Sequence, residues 1–138
     1  MKTEILKIHT DSTLGALINL VGRILLIGLF LLAGISKIGA YDATAGWMSS
    51  MGVPGGLLPL VILAEVGGAV ALVIGFQTRL VAMLLAGFTL VSALIFHLDF
   101  ADQTQFLMFF KNLSIAGGFL LLMLQGGGRF SLDARLNK

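Results

Sequence analysis

Four apolar stretches, at about 14–36, 57–76, 80–97 and 106–124, constrain this chain more than anything else in it. Each approaches the ~20 residues that a helix needs to cross a hydrocarbon core of about 30 Å. Lipid offers no hydrogen bonds to unpaired backbone, and the stretches lack the alternation of barrel strands, so only helices fit. The expectation is an all-α integral membrane four-helix bundle, a single four-span domain over residues 1–138. Composition agrees: a mean hydropathy of +1.00 with only 12% charged residues leaves too little polar cover for a water-soluble core.

Other classes fall away on composition. The chain has no Cys, which excludes disulfide frameworks, thiol nucleophiles and Cys-based metal clusters. Net charge is +2 with the cations scattered, so no block exists to track phosphates and nucleic acid is not an expected partner. The first apolar stretch is too long for a signal-peptide core, carries Arg23 and lacks an A-x-A cleavage pattern, so it reads as a retained first span. His97 and His9 are distant in sequence and fall on opposite sides of the expected bundle, so no metal site is expected.

Turn chemistry separates the spans. Residues 41–51 read as a short interfacial helix between spans 1 and 2, with Asp42 as N-cap and Trp47, Met48 and Met51 turned to the headgroup region. Gly52 to Gly56 ends that helix, Gln77 to Arg79 makes a tight connection, and Gly126 to Gly128 closes the last span. Lys2, Lys7, Arg79, Arg129, Arg135 and Lys138 fall on one side, which the positive-inside rule makes cytoplasmic, with both termini there.

The informative residues are those that are costly at membrane depth, because ionisable groups there turn inward and find partners. Asn19, Arg23, Phe30, Gly34 and Lys37 share one face of the first span. Ala64, Gly68, Ala71 and Gly75 form a small-residue stripe beside Glu65 that admits a neighbouring helix. Lys111, Ser114, Gly118 and Gln125 share a face of the fourth span, and Ala86, Leu90, Ala93 and His97 align on the third. At 1.5 Å per residue, Glu65 lies ~12 Å and Lys111 ~8 Å from the outer ends of their spans, which predicts a Glu65–Lys111 salt bridge. Arg23, ~14 Å from the cytoplasmic end, reaches toward Glu65 or snorkels downward. Lys37 and Arg79 sit at membrane boundaries, where basic residues act as anchors. The ligand-binding candidates are Arg23, Lys37, Glu65, His97, Lys111 and Asn112, whose surplus positive charge suits an anionic or carbonyl-bearing ligand. No catalytic constellation is assigned.

Gly22 to Leu26, Gly34 to Lys37, Met48 to Pro54, Glu65 to Gly68, Gly75 to Arg79, Phe110 to Leu113 with Gly117-Gly118, and Ser131 to Asp133 together resemble the DoxX family of bacterial membrane proteins. The resemblance runs from about Gly22 to Asp133 and rests on the order and spacing of these pieces. It implies a four-helix inner (plasma) membrane protein linked to quinone-dependent oxidoreductases and terminal oxidase assemblies. The expected function is the membrane subunit of such a system, with a quinone as cofactor and electrons supplied by a soluble redox partner protein or a bound cofactor. Two other readings stand beside it: a non-catalytic membrane scaffold or assembly factor, and a small-solute or proton pathway formed by a homo-oligomer.

Overall fold

The computed structural model describes residues 4–138; Lys2, used above to orient the chain, lies outside the described residues. Helices α1 (Thr13–Gly39), α3 (Gly55–Ile74), α4 (Thr78–Phe96) and α5 (Gln103–Gln125) are each long and apolar enough to cross a membrane. A short α2 (Tyr41–Ser50) follows α1, and α6 (Leu132–Leu136) ends the chain. No strand occurs among the described residues. The four spans run up and down in a closed ring, α1 against α3, α3 against α4, α4 against α5 and α5 back against α1.

Small residues set the closest approaches. At Gly34 an added Cβ would stand 2.5 Å from Val66 Cγ2 and 3.3 Å from Glu65 Cβ, so only glycine lets α3 come so near α1 there. Gly68 faces Leu85 of α4 and Gly118 faces Leu26 of α1 in the same manner. The centre is filled by Ile27, Phe30, Leu72, Leu85 and Phe119, with Phe30 and Phe119 meeting edge-on at 5.2 Å. Outward, Leu25, Leu32, Leu63, Leu121 and Leu124 are each about two-thirds exposed or more, a leucine surface that water does not tolerate and acyl chains do.

Two expectations about faces change in detail. The buried row of α3 is Leu58, Glu65, Ala69 and Leu72, one residue displaced from the small-residue stripe read from sequence. On α5 it is Asn112, Ala116, Phe119 and Leu122, while Ser114 and Gln125 are exposed. In both helices the central volume is taken by large side chains, and the glycines mark where a neighbouring helix crosses instead. Helix α2 also differs: it starts after Ala40 with no side-chain cap, leaving Asp42 within its first turn. Met48 turns into the bundle, 3% exposed, and Trp47 stacks on Phe96 at 4.7 Å, so this helix is pinned to α4 as well as carrying an exposed side.

Candidate functional site: a polar chamber between the helices

Two polar layers lie inside the apolar bundle, at opposite ends. The first, at the end bearing both described termini, is a capping layer. Helix ends leave carbonyls and amides without partners, and in lipid these must be met from within the protein. Arg23, 1% exposed, donates from Nη1 to the carbonyls of Leu72 (2.7 Å) and Val73 (2.9 Å) at the end of α3, from Nη2 to Phe130 O, and from Nε to Asn19 Oδ1 (2.9 Å). Arg79 does the same for α5, donating to the carbonyls of Met123, Leu124 and Gln125. A cation at a helix C-terminus also opposes the helix dipole. The reverse end is met by Asp133, whose carboxylate accepts from the amides of Gln77 (2.7 Å) and Thr78 (2.8 Å) at the start of α4. Burial works against the ionised form of Asp133. The Thr78 and Gln77 amides and the Arg23 charge outweigh it and hold this carboxyl below its ordinary value.

Arg23 therefore neither reaches Glu65 nor snorkels to water. It sits beside the last turn of α3, because α1 starts well before the level at which α3 ends.

The second layer is a chamber in the other half of the bundle. Glu65, 6% exposed, lies in a single π-helical turn, Leu63–Gly67, a wider turn that recurs at functional positions in helices. Its carboxylate accepts from Lys37 Nζ at 2.9 and 3.0 Å. This replaces the predicted Glu65–Lys111 bridge. The reason is the helix order: the Gly34 crossing brings α1 onto α3, and Lys37 follows Gly34 by one turn, whereas α5 packs chiefly on α4. Lys37 is thus an inward ion-pair partner at this end of the bundle, in contrast to the boundary anchor read from sequence. Lys111 instead donates to the thioether of Met108 at 3.0 Å. His97 Nδ1 shares a 2.6 Å hydrogen bond with Gln105 Oε1, and Asn112 Nδ2 donates to Thr89 O at 3.4 Å.

Lys37, Glu65, His97, Lys111 and Asn112 all face one cavity of about 160 Å³. It shares Lys37, Glu65, Phe88, Ser92, His97 and Lys111 with a second cavity of about 360 Å³, walled by Trp47, Met48, Ile95 and Phe96 beneath α2. The result is a polar chamber continued by an apolar vestibule. Five of the six candidate residues meet there, and Arg23 does not. Sequence reading missed Thr89 and Ser92 in the chamber wall and Gln105 behind His97. One signal was present: Thr89 and Ser92 interrupt the apolar run of α4 within about two helical turns of His97. Among the described residues no three His, Cys, Asp or Glu side chains come together as a metal site.

Fold and chamber together define a small polytopic α-helical membrane protein with an internal polar site. The DoxX family model matches residues 18–98, more than half of the chain, and the protein belongs to the DoxX family. The matched segment holds Arg23, Lys37, Glu65 and His97; Lys111 and the Ser131 to Asp133 piece lie beyond it. The chain is 54% identical over 119 residues to the inner membrane protein YqjF of Escherichia coli (strain K12), covering 86% of this chain and 92% of that protein. It is 39% identical over 124 residues to the inner membrane protein YphA of the same organism, covering 84% and 88% respectively. No solved structure matches the chain.

Proposed function

We propose that this protein is the membrane subunit of a quinone-linked oxidoreductase system in the bacterial inner membrane, with both termini cytoplasmic, and that its chamber binds a quinone or related aromatic carbonyl compound. The observation that carries the reading is the convergence of Lys37, Glu65, His97, Lys111 and Asn112 on a cavity that opens into an apolar one. Ligand sites are mostly apolar pockets with a few convergent polar groups, and ionisable residues at membrane depth mark such sites.

Size and donors suit the ligand class. The chamber, about 160 Å³, holds roughly five times the ~30 Å³ share of a water molecule, room for one aromatic ring. The Lys111 ammonium is a donor facing it, and the Asn112 amide faces it too; either suits a carbonyl oxygen, while His97, whose Nδ1 is engaged by Gln105 Oε1, lines the wall. The apolar tail of such a ligand lies along Trp47, Ile95 and Phe96. Glu65 is placed to exchange a proton with the ring oxygens, and Gln105 fixes the plane of His97. The quinone itself supplies the two-electron carrier chemistry; the chain binds, orients and screens it from lipid. A soluble redox partner protein is the implied electron donor.

The test is direct. Protein purified with native lipid is extracted for bound quinone and then titrated with a short-tailed quinone, with tryptophan fluorescence of Trp47 as the signal. Retained quinone and saturable quenching are expected. A bundle that carries none and shows no saturable binding contradicts the reading.

A further inference from the structure

The chamber contains more positive charge than its own residues neutralise. Its carboxylate, Glu65, is engaged through both oxygens by Lys37 of α1, and this is the one ion pair among the described residues. Lys111 of α5 faces both chamber and vestibule, and its hydrogen-bond partner is the uncharged thioether of Met108. The other elements packed around it supply no counter-charge: α4 contributes His97, Thr89 and Ser92, and α2 contributes Thr44 and Trp47. Two ammonium groups, Lys37 and Lys111, thus face one carboxylate. Lys111 is exposed where it lines the chamber wall, and an ammonium with no carboxylate partner at that wall leaves a place for an anion.

We propose that the chamber takes its ligand as a monoanion: an amphipathic aromatic carbonyl compound bearing one acidic hydroxyl, with the ionised oxygen against Lys111 and the apolar remainder against Phe88 and Phe96. The inference rests on the reading given under Proposed function and narrows its ligand class. Ionisation breaks only the O–H bond, and the proton leaves to water. No electron moves in this step.

A coloured acid reports the charge state. A 2-hydroxynaphthoquinone, whose anion absorbs in the visible, is titrated with pH in empty nanodiscs and in nanodiscs holding the protein. Circular dichroism is recorded at each pH to confirm that the bundle persists. Bound probe is expected to ionise at least about one pH unit lower than free probe, a tenfold strengthening of the acid. Lys111→Met removes the shift, while Lys111→Arg retains it. Glu65→Gln, which releases Lys37 to the chamber, enlarges it. Neutral naphthoquinone, titrated in parallel, loses one hydrogen bond in the Lys111→Met variant and is expected to lose less affinity than the ionised probe does.

Two results overturn the inference while leaving the quinone reading standing: binding of both compounds with an unshifted acid titration, or a shift that survives Lys111→Met. Failure of either compound to bind at all defeats the quinone reading and this inference together. Should Lys111→Met not fold, the Glu65→Gln variant decides, because an unchanged or smaller shift there contradicts the charge argument.

Discussion

Single side chains carry most of what distinguishes this bundle from an arbitrary set of apolar helices. Arg23 and Arg79 close the carbonyl ends of α3 and α5, and Asp133 closes the amide end of α4 from the far side of the chain. Two basic residues within the spans therefore do different work: Arg23 closes backbone carbonyls, while Lys111 meets neither a backbone carbonyl nor a carboxylate. The folded state depresses the pKa of Asp133, so its contribution to stability is complete above the ordinary value of 3.8 and is lost as pH falls through the lower folded value. Thermal unfolding in detergent, followed by circular dichroism from neutrality into that acid range, is expected to show this loss. Asp133→Ala is expected to cost about 1 kcal/mol at neutral pH, the typical worth of a helix cap, and to flatten the acid limb. An acid limb identical in the variant would remove Asp133 from the capping layer.

At the level of elements, the α1–α3 crossing sets the site. Gly34 permits it, Lys37 follows one turn later, and the π-helical turn presents Glu65 to it. Gly34→Leu is expected to force the helices apart and separate Lys37 from Glu65, destabilising the bundle by about 1–3 kcal/mol, as overpacking commonly does. Disulfide trapping between cysteines placed on α1 and α3 checks it: slower cross-linking than in the parent is predicted, and an unchanged rate would mean the contact is not tight. The elements themselves were legible in the sequence, because hydrocarbon length and turn residues dictate four spans and a short helix after the first. The pairing of Glu65 was not. Helical periodicity orders residues on one helix but says nothing of which helices adjoin, so Lys111, at similar estimated depth, outranked Lys37. The capping roles of Arg23 and Asp133 were hidden for a related reason: their partners are backbone atoms, which leave no residue-type signal.

For the whole molecule, the leucine-clad exterior and the two internal polar layers follow from one rule, that lipid rewards apolar surface and penalises unmet polar groups. Membership in the DoxX family fits this architecture, and its relatives YqjF and YphA are inner membrane proteins. The segments that lead into α1 and out of α5 meet beside the capping layer, where Arg129 Nη1 donates to Asp11 O at 3.4 Å, so the chamber lies in the half of the bundle remote from them. In the orientation proposed above, the chamber lies toward the outer leaflet, within reach of a lipid-soluble carrier entering beneath α2. The most direct measurement is an experimental density map of the protein purified in its native lipid. The account predicts a flat density in the chamber, within hydrogen-bonding distance of Lys111, with a tail running past Phe96. A chamber closed by side chains, with Lys111 turned out toward the headgroups and no such density, would contradict it.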